Sequence, residues 1–402
     1  MSRSAAADLP LTARIAPEEP ATMRYAVTRL ILSDFRNYRQ ARLTPAANVV
    51  VLTGDNGAGK TNLLEAISFL SPGRGLRGAR LGDVTRQGAD VWAVAAQVKG
   101  AAGAFEVGTG LGRRLAEGGD DDGGERRLVH IDGAPASGPA ALGEVLRVAW
   151  LTPQMDRLFL DGPPGRRRFL DRLTLALHPA HGREVAAYER AMRERNRLLA
   201  EGPADPLWLT ALEGRMAEHG VAVAAARLDA VERLQAAADA ACGAFPTADL
   251  TVEGAVEADL ANVPAVEAED RLKQRLKLAR HRDAAMGRTG EGPHLSDLKA
   301  RHRAKDMAAT LCSTGEQKAL LIGVVLAAAR LSKIDDGAPP VLLLDEITAH
   351  LDERRRGALF DELQALAAQA WLSGTDPALF ADLKGRADFF AVAAGTITNI
   401  SD

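Results

Sequence analysis

The chain has 402 residues, 47% of them hydrophobic and 26% charged, enough for two or three folding units with substantial cores. Its 50 Lys and Arg against 53 Asp and Glu give a formal net charge of −3. That balance excludes a uniformly basic nucleic-acid-binding coat, but not a local basic face. No apolar run approaches the roughly 18 residues of a membrane span, and two cysteines are too few for a disulfide framework. We therefore expect a cytoplasmic protein with no membrane partner.

The first elements are predicted from the N-terminus to about residue 160. Residues 1–24 are rich in Ala, Pro and Glu without a signal-peptide pattern, which indicates a disordered extension. Apolar alternation predicts a strand over 26–32, and a buried strand over 48–53 leads through a glycine-rich turn into a helix. From 89 to 150 the apolar period shortens to two, which predicts short strands joined by turns.

The remaining elements suggest an insertion. Residues 165–278 follow a mainly helical pattern, broken by a strand-containing stretch within 247–263. The segment 207–241 would run on the order of 50 Å if continuous, which indicates a projecting arm rather than a compact bundle. Helix–strand alternation returns after 290, so we expect an α/β fold with a discontinuous core. The expected division is a discontinuous α/β lobe of residues 25–160 and 290–402, with a mainly helical arm lobe inserted at 161–289.

A phosphate-binding P-loop is predicted directly after the second strand. The spacing Gly-x-x-x-x-Gly-Lys-Thr lets backbone N–H groups wrap the phosphates at a helix N-terminus. Lys60 is expected to reach the β- and γ-phosphates, and the Thr61 hydroxyl to bind Mg²⁺. The predicted ATP-binding residues are Gly54, Asp55, Asn56, Gly57, Ala58, Gly59, Lys60 and Thr61.

Two carboxylates complete the expected catalytic centre. Four apolar residues, 341–344, end in Asp345 and Glu346, which places both acids at the edge of a buried strand. Asp345 is expected to hold Mg²⁺. Glu346 is expected to act as the general base toward an attacking water.

Residues 311–318 resemble the signature motif of the ABC-type ATPase superfamily. In that family this element of one protomer contacts the γ-phosphate bound by the other, which implies such a role for Ser313 and Gly315. The same residues also fit a capping box, with Ser313 as N-cap and Glu316 three residues on, and both interpretations can hold.

Three further positions follow from the order of the family's motifs. Residues 349–352 resemble the D-loop, which implies that Asp352 lies at a dimer interface. Gln154 stands where the family's Q-loop would be, which implies a catalytic role and a bridge to Mg²⁺ or water. The family's switch histidine is missing after the last core strand, where the sequence reads Ser373-Gly374-Thr375-Asp376.

Taken together, the motifs resemble one branch of that superfamily, the RecF family of the SMC/Rad50-like group. The matching segments are 35–38, 152–159, 167–172, 292–294, 312–318 and 344–352. The resemblance adds Arg36, Asn37, Asn62 and Gln317 to the expected ATP contacts. It implies a P-loop ABC-type ATPase head with a mixed sheet, an antiparallel β subdomain and the helical insertion. It also implies a weak, nucleoid-associated ATPase that dimerises on ATP and binds duplex and gapped DNA. Such a protein would act in gap repair and replication restart with RecO and RecR, helping to load RecA.

Basic residues in and beside the helical segment are candidates for DNA-phosphate contacts. They cluster in 166–172, 190–197, 271–282 and 299–305, although such runs are often solvated helix faces. Three alternatives remain at this stage. They are a transporter-type ABC ATPase with a membrane subunit, an SMC- or Rad50-like protein, and an ATP-gated clamp with negligible turnover.

Overall fold

The computed structural model describes residues 25–100, 102–112, 125–202, 205–240, 243–349 and 351–400. The extension expected at 1–24 lies outside these residues. The strands are β1 (Ala26–Phe35), β2 (Tyr38–Leu43), β3 (Val49–Thr53), β4 (Ala93–Gly100), β5 (Gly103–Gly112), β6 (Arg126–Ile131), β7 (Ala134–Pro135), β8 (Val148–Leu151), β9 (Ala248–Glu253), β10 (Asp297–His302), β11 (Met307–Ala308), β12 (Val341–Leu344), β13 (Ala370–Gly374), β14 (Ala387–Ala393) and β15 (Thr396–Asn399). The helices are α1 (Lys60–Ser68), α2 (Leu142–Val145), α3 (Pro163–Leu177), α4 (His181–Ala200), α5 (Pro206–Asp239), α6 (Ala255–Leu260), α7 (Ala265–Met286), α8 (Thr314–Asp336) and α9 (Glu353–Leu366).

A mixed six-stranded sheet, ordered β15-β14-β3-β13-β12-β8, forms the centre of the protein. All its pairings are parallel except the one between β14 and β15. Every residue of β3, β12 and β13 is buried, because elements cover both faces of the sheet. The register pairs Leu344 with both Leu151 and Leu372, and Gly374 with Thr53. The carboxyl ends of β3, β8, β12 and β13 therefore meet at one edge.

An antiparallel sheet, ordered β2-β1-β4-β5-β6-β7, covers one side of this core. Burial alternates strictly along β4, which shows one packed face and one solvent face. Phe35, Phe69 and Trp92 meet edge to face, with ring centroids 5.1–5.9 Å apart, and fix the end of α1 against this sheet. The predicted combination of a mixed sheet and an antiparallel β subdomain is confirmed.

The long helix α5 differs from the expected projecting arm. Its first half packs with α4 and α7 around a separate apolar cluster that includes Leu212, Met216 and Leu272. A Cβ at Gly220 would lie 3.1 Å from the Tyr188 ring, so this glycine allows a close helix approach. Its second half joins the main core through Val231, Leu234 and Ala237. The expectation of an arm rather than a bundle is wrong, because apolar residues on α5 find partners along its whole length.

The sequence predicts a boundary between two lobes at residue 161, but apolar packing continues across this position. Phe169, Leu170 and Leu173 of α3 lie in the same apolar cluster as the central sheet. A small antiparallel sheet, ordered β11-β10-β9, also joins the inserted segment to the returning chain. The helical insertion is therefore tied to the core at both ends.

None of the helices in the described ranges combines the length and apolar character needed to cross a bilayer.

Candidate nucleotide-binding site

The P-loop follows β3 and turns into α1 with three glycines in the left-handed region. Gly54 has φ 145°, and a Cβ there would lie 2.1 Å from the Val392 carbonyl oxygen. Gly59 has φ 120°, and a Cβ there would lie 2.6 Å from the Tyr38 hydroxyl oxygen. Both positions therefore require glycine, sterically as well as conformationally.

Lys60 closes this loop from inside. Its Nζ donates to the carbonyl oxygens of Gly54, at 2.6 Å, and Asp55, at 2.9 Å. Burial lowers the pKa of Lys60, while the carboxylates of Glu346, Asp345 and Asp55 act in the opposite direction. The residue is only 4% exposed, so its ammonium is held inside the loop.

Thr61 and Asp345 meet although 284 residues separate them in sequence. The Thr61 hydroxyl lies 2.9 Å from Asp345 Oδ2 and 3.0 Å from Oδ1. Ser373 also donates its hydroxyl to Asp345 Oδ1 at 2.6 Å. Hydroxyl and carboxylate oxygens are the ligands that Mg²⁺ prefers, so this donor set fits the expected metal.

Glu346 follows Asp345 with an unusual backbone. Its φ of 46° is left-handed, which is uncommon for a residue with a side chain. Its N–H donates to Ser373 Oγ at 2.8 Å, and its carbonyl accepts from Lys318 Nζ at 3.2 Å. The backbone of the expected general base is thus held by hydrogen bonds at both its N–H and its carbonyl group.

The β1–β2 turn packs over the P-loop and carries two of the remaining expected ATP contacts, Arg36 and Asn37, while a third, Asn62, lies on α1. Arg36 Nε and Nη2 each lie 2.8 Å from a different oxygen of Glu65, which is fully buried on α1. Asn37 donates to the Ala58 carbonyl at 3.0 Å and accepts from Asn62 at 2.7 Å. These residues lie beside the loop and brace it. All these hydrogen bonds join residues of the P-loop and its surroundings. Direct contact of Arg36, Asn37 and Asn62 with the nucleotide stays a prediction.

Gln154 is placed at the same edge of the sheet. It lies in a 3₁₀ turn that directly follows β8 and is exposed. Asp156, in the same turn, pairs with Lys318 Nζ at 3.4 Å. The Gln154 segment is therefore connected to α8, the helix that follows the signature motif.

The signature motif forms the capping box that its sequence predicts. Ser313 N and Oγ donate to Glu316 Oε2 at 2.9 and 3.0 Å, and Ser313 Oγ accepts from Glu316 N at 3.4 Å. A hydrogen bond from Lys305, with those from Ser313, lowers the pKa of Glu316 to about 2. Ser313 is exposed, and Gly315 is half-buried in the first turn of α8. Their partners here come from their own turn, so a hydroxyl and the start of a helix face outward.

Two other predicted positions have clear local roles. Gln317 is only 2% exposed and donates to the Cys312 carbonyl at 2.8 Å, so it supports the signature turn from below. Asp352 is the N-cap of α9 and accepts from Arg355 N–H at 2.7 Å, with an exposed side chain. His350 of the D-loop-like segment lies outside the described residues.

Sequence reasoning missed Ser373 as a site residue and noted only that no histidine follows the last core strand. Ser373 is fully buried and contacts both expected catalytic carboxylate residues. A Cβ at the adjacent Gly374 would lie 2.6 Å from the Phe380 ring. The available signal was a hydroxyl at the end of a buried strand, but its partners lie just after β12, 27 and 28 residues away.

The basic stretches are largely neutralised within the chain. On α7, Arg271 pairs with Asp259 and Glu267, and Arg280 pairs with Glu213. Further ion pairs of these stretches are Arg166–Asp297, Arg195–Asp283, Arg275–Asp259, Arg282–Glu291, Lys299–Asp297, Arg301–Asp306 and Arg303–Asp249. Runs of positive charge in the sequence are therefore not equivalent to positive surface.

Comparison with known proteins gives a consistent result. Residues 26–383 match the family described as the RecF/RecN/SMC N terminal domain. The DNA replication and repair protein RecF of Mesorhizobium japonicum is 52% identical over 94% of this chain and 98% of its own length. That of Agrobacterium fabrum is 51% identical over 94% and 99%. A solved structure described as the recombination mediator protein RecF-ATP in the RecFOR pathway matches with a TM-score of 0.80. It is 20% identical, covering 95% of this chain and 99% of that one, so it shows a shared fold.

Proposed function

Because the chain belongs to the RecF family of DNA replication and repair proteins, we propose that it is an ATP-switched DNA-binding protein of recombinational gap repair. The observation that carries this proposal is the junction at the carboxyl edge of the central sheet. There Lys60 and Thr61, which follow β3, meet Asp345 and Glu346, which follow β12.

The residues of this junction divide the chemistry among them. Lys60 and the P-loop N–H groups would bind the phosphates of ATP. Thr61 and Asp345 would hold Mg²⁺, with Gln154 beside them, and the ion would neutralise phosphate charge. Glu346 would accept a proton from the attacking water.

A second copy of the chain would complete the site. Ser313 lies at the exposed start of α8, and Asp352 at the exposed start of α9. We propose that both face ATP held by the partner protomer. ATP binding then favours the dimer, and slow hydrolysis releases it. Duplex or gapped DNA would be held by the closed dimer, with RecO and RecR as partners and loading of RecA as the outcome.

A mixture of two inactive variants tests the shared site. Lys60→Met and Ser313→Arg should each hydrolyse ATP poorly alone, because every site then contains a defect. In an equimolar mixture, each mixed dimer has one site with Lys60 and Ser313 both intact. We expect the mixture to regain about a quarter of wild-type turnover, since half the dimers are mixed and each has one good site. Turnover that simply averages the two variants would contradict sites built from two protomers.

Glu346→Gln tests the catalytic assignment separately. It should bind ATP and dimerise like the wild type, yet lose on the order of 100-fold or more in turnover. Analytical ultracentrifugation with ATP, and phosphate release, measure the two properties. Wild-type turnover would rule out Glu346 as the general base.

A further inference from the structure

The Ser373 hydroxyl connects the two acidic residues of the catalytic centre. It accepts a hydrogen bond from the Glu346 N–H at 2.8 Å and donates its own proton to Asp345 Oδ1 at 2.6 Å. A hydroxyl has one proton and two lone pairs, so a single serine can do both. Since Ser373 is fully buried, water does not replace these contacts when the side chain is shortened.

The backbone that Ser373 holds is the unusual one of Glu346. A residue with a side chain persists at φ 46° only where its surroundings impose this conformation. On the far side of the Glu346 Cα, Lys318 Nζ donates to the carbonyl oxygen at 3.2 Å. Lys318 is also nearly buried and pairs with Asp156. The Glu346 backbone is therefore fixed from β13 on one side and from α8 on the other.

The Ser373 hydroxyl is not needed to build its strand. Backbone pairing with β3 and β12 already fixes β13, through the pairs Ser373–Leu52 and Leu372–Leu344. The side chain is therefore free to serve the catalytic centre. Phe380 fills the space next to it, where a side chain at position 374 would otherwise lie.

We propose that Ser373 is a positioning residue for ATP hydrolysis, an inference that rests on the proposed function. It sets the direction of the Glu346 carboxylate by holding the Glu346 N–H, and its own hydrogen bond to Asp345 Oδ1 orients the hydroxyl for that contact. Lys318 assists from the signature helix.

Substitutions at position 373 test this role by their rank order. Ser373→Ala should lower kcat on the order of ten- to a hundredfold, because the general base is displaced. Ser373→Thr, which keeps the hydroxyl, should retain most of the activity, and Ser373→Cys should fall between. ATP affinity and the ATP-dependent dimer fraction should stay within about twofold of wild type, because Lys60 and Ser313 are untouched. Ser332→Ala removes another buried hydroxyl, on α8, and should leave kcat unchanged.

Combination with Glu346→Gln separates positioning from a merely structural effect. If Ser373 acts through Glu346, then Ser373→Ala should change the residual turnover of Glu346→Gln by less than about twofold. A full ten- to hundredfold further loss, or wild-type kcat in Ser373→Ala, would overturn the proposal. If Ser373→Ala fails to fold, equal kcat in the Ser373→Thr and Ser373→Cys variants would also overturn the proposal. Equal turnover of wild type and Glu346→Gln would instead rule out Glu346 as the general base, the part of the proposed function on which this inference rests.

Discussion

Single residues at the carboxyl edge of the central sheet are constrained by their immediate contacts. Gly54 and Gly57 are both P-loop glycines with positive φ, 145° and 83°, yet their surroundings differ. A Cβ at Gly54 would collide with the Val392 carbonyl of β14, whereas a Cβ at Gly57 would meet nothing within 4 Å. The first glycine is therefore required by packing, and the second by conformation alone.

This difference gives a matched pair of variants. Gly54→Ala should displace the loop from β14 and reduce ATP affinity by at least about tenfold, with a stability cost of about 1–3 kcal/mol. Gly57→Ala should cost only about 1–2 kcal/mol of left-handed strain. Titration with a fluorescent ATP analogue and urea unfolding measure both effects. Equal losses of ATP affinity in the two variants would show that the Val392 contact is unimportant.

At the scale of elements, α8 serves the site in two directions. Its N-terminus presents Ser313 outward, while Lys318, a little more than one turn on, points inward to Glu346 and Asp156. The capping box holds the first turn, and Gly337 ends the helix with φ 75°. The same local motif therefore explains both the stability of the helix and the exposure of the signature residues.

The charge of Glu316 makes this capping box dependent on pH. Its pKa is lowered from 4.5 to about 2, so the ionised form stabilises the fold above about pH 4.5. This contribution is lost as the pH falls toward 2. Glu316→Gln should be less stable than wild type by about 1 kcal/mol or less at pH 7, since the pair with Lys305 is partly exposed.

Urea unfolding between pH 7 and pH 3 measures that difference. The gap between wild type and Glu316→Gln should shrink steadily below about pH 4.5. A gap that is independent of pH would show that the carboxylate charge contributes nothing. Asp382→Asn serves as the control, because this exposed carboxylate is not part of the capping box.

At the scale of the whole molecule, charge is balanced inside the chain rather than displayed on one surface. The net charge of −3 reflects many intramolecular pairs, especially along α7, where Arg271 pairs with Asp259 and Glu267. An arginine held by two carboxylates has little positive potential to offer a phosphate. DNA contacts, if made through this lobe, therefore depend on basic residues without such partners.

The salt dependence of DNA binding tests this conclusion. Arg271→Gln should leave the slope of log affinity against log salt unchanged, because its charge is already compensated. Lys277, exposed on the same helix and without an ion pair among the described residues, is the comparison site. A slope smaller by about 1 in Arg271→Gln would instead place that arginine at a phosphate.

Contiguous motifs were predictable from the sequence because their physics is local. A glycine-rich turn between a buried strand and a helix predicted the P-loop, and the spacing of Ser313 and Glu316 predicted the helix cap. The buried run 341–344 placed Asp345 and Glu346 at a strand end, and the structure confirms that strand. The alternation of elements at both ends of the chain likewise predicted the α/β core.

Only the tertiary structure decided which distant groups meet. Thr61 reaches Asp345 across 284 residues, and Ser373 reaches it across 28, because parallel strands bring their carboxyl ends to one edge. The same holds for the ion pairs of α7 and for the packing that turned the expected arm into part of a bundle. Sequence determined the chemistry available at each position. The fold alone selected the partners, because sheet order and helix packing depend on contacts between residues far apart in the chain.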